Sequence, residues 1–267
     1  MTGLIVWLAG GTLLDGWAHN TRPGLDTFFT PWHIVMYTGL VAVGSFTLTA
    51  FARNISRGVR WTQALPAGYL PSVAGIGIFL AAGIGDLIWH ELFGIESNVE
   101  ALLSPTHLGL ALGVVLILAG PLRAAGQRRH WTLDGWPRAG PPLLSATLTL
   151  TALTYMTQFI NPLGLSGAAV NYHAEHGRVN PGLEIGGMLL HGALLVGALL
   201  LVTRRWTLPT GGVTFIVGMN ATLMIFVCYE TLAPHPAWLI LAAFAAGACG
   251  ELGLRLLRSA PDMLRVR

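Results

Sequence analysis

Asp15 and His19 stand four residues apart in LLDGWAHN, and Asp86 and His90 stand four apart in IGDLIWHE. On a helix, residues i and i+4 share a face, about one turn apart. Each pair is followed by a histidine two residues after a proline: His33 in FFTPWHIVMYTG and His107 in LLSPTHLGLALG. Threonine or serine before proline is a helix-start signal, so each of these histidines falls in the first turn of a helix that must return alongside its predecessor. Two sets are therefore expected to converge, Asp15, His19, His33 and Asp86, His90, His107. Two imidazoles and a carboxylate suit a transition metal and leave coordination positions open. Copper is the first expectation, with iron or zinc as alternatives. If the hairpins face each other, the two sets could also build one dinuclear site. The rival reading is two structural Asp–His pairs that fix the hairpins.

The Asp-x3-His element, followed by a histidine at the start of the next helix, resembles the metal site in the C subunit of the particulate methane and ammonia monooxygenases. The resemblance rests on Asp15, His19 and His33, and more loosely on Asp86, His90 and His107, about twenty residues per copy. It implies a copper-binding membrane subunit with oxygenase-like chemistry. Duplication of the element and an eight-helix layout depart from that family's pattern.

Other polar residues form a second tier. Glu96, in the segment after His90, is a candidate partner that orients an imidazole. His173 and His176 lie in NYHAEHGRVNP, where an exposed lid is the plainer reading. Tyr155 and Gln158 replace Asp-x3-His at the end of the fifth helix and are expected beside the same pocket. Glu230 could line its mouth. His191 lies about three turns into the sixth helix, deeper than His33 or His107. There it is expected to be a packed hydrogen-bonding residue, with a haem or metal ligand as the alternative.

The elements that position these residues are helices in lipid. The chain has 267 residues, 53% hydrophobic and 10% charged, with a mean hydropathy of +0.62. A soluble domain carries about a quarter charged residues, so an ordinary soluble globule is excluded. Charge-free runs cover 2–14, 27–52, 61–85, 101–122, 139–174, 185–203, 206–229 and 231–250. A spanning helix needs about 20 mainly apolar residues. Seven of these runs are long enough, and the first reaches span length if Asp15 and His19 sit at its far end, so eight transmembrane helices are expected, arranged as four hairpins, in an all-α polytopic membrane protein. The even helices start at Thr30-Pro31, Ser104-Pro105, Asn180-Pro181 and His235-Pro236. With the matching Asp-x3-His elements, these starts suggest an internal repeat that is closest between the first two hairpins. Residues 1–123 would carry the duplicated hairpins and the metal site, and 141–258 the other two hairpins of the same membrane domain.

Arginine sets the orientation. The chain has no lysine, and thirteen arginines, Arg53 and Arg123 among them, fall on the side of the termini against Arg22 and Arg178 on the other. By the positive-inside rule both termini are cytoplasmic and the candidate site is extracytoplasmic, in the cell membrane. The same arginines speak for topology rather than for a nucleic-acid partner. Cys228 and Cys249 sit in apolar runs and make no CxxC motif. Walker A, GxSxG and HExxH motifs are absent.

The expected function is an integral membrane metalloprotein with an outside-facing copper or iron site, oxygenase-like towards a small or lipophilic substrate. Homo-oligomers or partner membrane subunits are compatible with it. The alternative is non-enzymatic storage, delivery or transport of a metal. Transport fits less well, because the polar residues crowd at one side instead of lining a path. Haem binding through His33, His107 and His191 ranks below both.

Overall fold

The computed structural model describes residues 1–22, 28–94, 102–128, 133–163, 181–228 and 234–259. Nine α-helices occur among them: α1 (Thr2–Thr21), α2 (Pro31–Ser56), α3 (Leu70–Phe93), α4 (Pro105–Leu118), α5 (Gly120–Gln127), α6 (Trp136–Met156), α7 (Pro181–Arg205), α8 (Gly212–Cys228) and α9 (Pro234–Ser259). Single 3-10 turns lie at Trp61–Gln63 and Gln158–Ile160, and the described residues contain no strand. Three of the expected proline starts coincide with helix starts, at Pro31, Pro105 and Pro181. The last helix begins at Pro234, slightly before the expected His235-Pro236.

Neighbouring helices pack as antiparallel pairs, α1 with α2, α3 with α4, and α8 with α9. Glycine makes the close approaches. Gly39 comes against the backbone of Leu8, and Gly113 against that of Phe79. Each glycine stands nine residues after its N-cap, and each partner seven residues before the aspartate of its own pair. The two pairs therefore cross in the same register. The expected third hairpin is looser: α6 packs more extensively on α8 than on α7.

Among the described residues, four helices are long and apolar enough to cross a membrane: α2, α3, α7 and α9. A fifth span follows if α4 and α5 count as one helix broken by a 42° bend. The bend falls where Pro121 removes a backbone donor. The carbonyls it frees are taken up by side chains: Arg123 Nη2 and Ser72 Oγ donate to Leu116 O, and Ser145 Oγ donates to Leu118 O. By the same measure α1 and α6 are long enough but too polar, and α8, at 17 residues, is too short.

Position in the bundle explains that division. α1 touches α2, α4, α6 and α8, and α6 touches α1, α4, α5, α7 and α8. Surrounded by protein, these two can carry threonine, asparagine and aspartate. α7 and α9 instead turn leucines outward, with Leu201 76% and Leu241 71% exposed. In water each such leucine would forfeit about 1.5–3 kcal/mol of burial, whereas against lipid it costs nothing. One apolar core joins α1, α2, α3, α4 and α6 around Leu8, Leu40, Phe79 and Ile117. A second joins α6, α7 and α8 around Leu143, Leu150 and Ile216.

Candidate metal centre

Each candidate ligand is placed by a local signal. Thr30 caps α2, its Oγ1 accepting the His33 N–H at 3.1 Å. Ser104 caps α4 in the same way, accepting the His107 N–H at 3.3 Å. In both cases the capped residue is the histidine, so the cap that starts the helix also orients the imidazole. α1 and α3 bring Asp15 with His19, and Asp86 with His90, to the same end of the bundle.

The six residues form two groups. In each, one ligand atom per residue lies within 4.8 Å of the others. In the first, Asp15 Oδ2 stands 3.3 Å from His33 Nε2 and 3.8 Å from His19 Nε2. In the second, Asp86 Oδ2 stands 3.4 Å from His90 Nε2, and Asp86 Oδ1 stands 3.4 Å from His107 Nδ1. Both carboxylates are buried, Asp86 to 2% exposure. Instead of one set of six, the ligands fall into two sets of three. The Phe28 ring stands between them, 4.7 Å from the His33 ring and 6.2 Å from that of His90.

Hydrogen bonding decides what those imidazoles present. His33 Nδ1 donates to Phe28 O, and His90 Nδ1 donates to Gly94 O at 3.2 Å. A carbonyl oxygen can only accept, so Nδ1 carries the hydrogen in both rings. Gly94 ends α3 with a φ of +81°, a conformation that suits glycine and folds its carbonyl back on His90. With Nδ1 occupied, each neutral ring turns the lone pair of Nε2 towards a carboxylate oxygen. A protonated ring would instead donate Nε2–H to that oxygen, so the place between nitrogen and oxygen suits a proton or a metal ion. A backbone-anchored Nδ1–H that turns Nε2 towards a carboxylate is also a setting in which histidine binds metal.

The separations suit either cation. A proton shared between nitrogen and oxygen gives about 2.7–3.2 Å, and three of the four distances, at 3.3–3.4 Å, lie close to that range. Donors sharing a metal ion at about 2.0–2.2 Å stand roughly 2.8–3.6 Å apart at octahedral to tetrahedral angles. Three of the four contacts fall in that range, and His19 lies slightly beyond it.

The surroundings differ between the groups. Asp86 Oδ1 accepts from Thr106 Oγ1 at 2.8 Å, and a hydrogen bond of 2.8 Å joins Ser104 Oγ to His107 Nδ1. Asp15 Oδ1 is buried with no hydrogen-bond partner among the described residues.

The second-tier residues divide. Tyr155 lies against Gly16, the neighbour of Asp15. Gln158 Oε1 accepts from Asn20 Nδ2 at 2.8 Å, tying the end of α1 to the turn after α6. His191 uses both ring nitrogens on protein oxygens, Nδ1 on Gly187 O at 2.9 Å and Nε2 on Thr157 Oγ1 at 3.1 Å. That is the packed role expected first, and it offers an iron no free nitrogen. Glu96, His173, His176 and Glu230 lie outside the described residues.

Phe28, Tyr37 and Thr106 escaped the sequence reading. Tyr37 carried the clearest signal, standing four residues after His33 and so on the same face of α2. Glu251 was also missed. It accepts from the Gly211 and Thr214 backbone N–H groups, a structural carboxylate at the N-terminus of α8.

The chain matches no protein-family model, no curated protein and no solved structure. The likeness to the monooxygenase C subunit therefore rests on the ligand residues alone.

Proposed function

We propose that this chain is an integral membrane metalloprotein that holds transition-metal ions at two Asp-His-His centres near the extracytoplasmic end of an eight-span bundle. One observation carries the reading: in both groups an imidazole with its Nδ1 hydrogen committed to a backbone carbonyl faces a buried carboxylate at 3.3–3.4 Å. The eight-span count adds α1, α6 and α8 to the apolar helices, with α4 and α5 as one broken span. A protein-lined position accounts for the polarity of α1 and α6. The arginine distribution supports termini inside and both centres outside. The duplicated ligand pattern and shared crossing register support an internal repeat of the first two hairpins.

Copper is the proposed ion, with iron as the alternative, because imidazole-rich sets suit both. Three protein ligands leave positions for an exogenous ligand, and a redox-active metal there would supply oxidation chemistry towards a small or lipophilic substrate. The residues of the chain would bind the ion, orient the imidazoles through Phe28 O and Gly94 O, and keep bulk water from the buried carboxylates. Storage or delivery of the metal uses the same centres without turnover. Elemental analysis of the full chain purified from its native membrane tests the reading. Close to two transition-metal ions per chain are expected, and well-folded protein that binds none tightly would overturn it. Substrate-dependent oxygen uptake by the loaded protein separates the enzyme from the storage reading.

A further inference from the structure

The reading of two metal centres leaves one buried group unexplained. The Tyr37 hydroxyl is buried and has no hydrogen-bond partner among the described residues. Burying an unsatisfied hydroxyl costs about 1–3 kcal/mol, so a native orphan calls for a missing partner. Three rings hold this tyrosine in place: His33 at 6.1 Å, Phe28 at 6.1 Å and Phe79 at 6.2 Å.

Its position is specific. It is seated over Gly83, where an added Cβ would lie 2.6 Å from the Tyr37 oxygen. Gly83 and Asp86 stand three residues apart on α3, so they share a face about one turn apart. Tyr37 thus leaves α2, the helix that supplies His33 to the first centre, and ends on the face of α3 that carries Asp86 of the second. Asp86 itself is engaged by Thr106, His90 and His107, and the phenol lies one turn of α3 from it, over Gly83.

Resting on the metal reading, we infer that the Tyr37 hydroxyl donates a hydrogen bond to the exogenous ligand, a water, hydroxide or small anion, held at the open position of the Asp86-His90-His107 centre. Tyr37 is then a positioning residue for whatever that centre binds, and the orphaned hydroxyl is satisfied only when metal and ligand are both present. Gly83 is part of the device, because any side chain there would displace the phenol.

The test uses full-length His19→Ala protein loaded with cobalt(II), so that the second centre reports alone, with azide as the probe ligand. Azide binding is followed through the cobalt absorption bands. Adding Tyr37→Phe should leave cobalt content unchanged and weaken azide binding about fivefold to tenfold, the loss of one hydrogen bond. Tyr155→Phe, which removes another buried hydroxyl beside the first centre, should leave azide binding unchanged and so controls for general loosening of the bundle. Unchanged azide affinity in Tyr37→Phe, or loss of cobalt from it, overturns the inference while the metal reading stands. Failure of the His19→Ala protein to take up cobalt overturns the metal reading of the second centre, and the inference falls with it.

Discussion

The two Asp-His-His groups are built alike but finished differently. In the first, both imidazoles address a single oxygen, Asp15 Oδ2, and Oδ1 is left bare. In the second, the imidazoles divide between the two oxygens of Asp86, and Thr106 and Ser104 add hydrogen bonds of 2.8 Å. On the proposed metal reading, the first group leaves more of its carboxylate for an ion to satisfy. The second satisfies part of its own, which brings it closer to a purely structural cluster. The same ligand spacing thus gives two groups with different internal hydrogen bonding.

Removing the carboxylate is the largest perturbation of this contrast. Asp15→Asn should cost about one bound metal per chain, because ligand charge and ion binding are coupled, and Asp86→Asn should cost the other. Metal content measured on both variants checks this. If neither falls, the Asp–His contacts are structural and the cations between them are protons.

Packing comes next. Gly39→Ala would place a Cβ 2.8 Å from Leu8 Cα, and Gly113→Ala would place one 2.8 Å from Phe79 N. Each should destabilise the protein by about 1–3 kcal/mol, the usual cost of overpacking. Matching falls in detergent melting temperature are expected, and a large fall in only one would show that the two pairs do not share their crossing geometry. The smallest effect is expected from Thr106→Val, which removes a bond to Asp86 without touching Asp15. Metal affinity at the second centre should drop about tenfold, in the range found for residues that orient ligands. The first centre should be unchanged in the same titration.

Much of the candidate site was legible residue by residue. Asp15 with His19, and Asp86 with His90, needed only the helical period. His33 and His107 needed only the N-cap and proline before them. The eight-span reading was less secure, because apolarity marks helices that face lipid. α2, α3, α7 and α9 pass that measure, whereas α1 and α6 lie among other helices and carry Asp15, Asn20, Thr151 and Thr154 at no cost to membrane insertion of the bundle as a whole.

Helical period and capping act over a few residues, which is why the amino-acid order alone dictated where the ligands sit along each helix and which end of the bundle they share. Separation of the six into two centres by Phe28, the carbonyls that commit the hydrogens of His33 and His90, and the lodging of Tyr37 over Gly83 all join residues from different loops and helices. Those outcomes depend on how closely neighbouring backbones approach, and that distance is set by glycines meeting distant partners once the helices have packed.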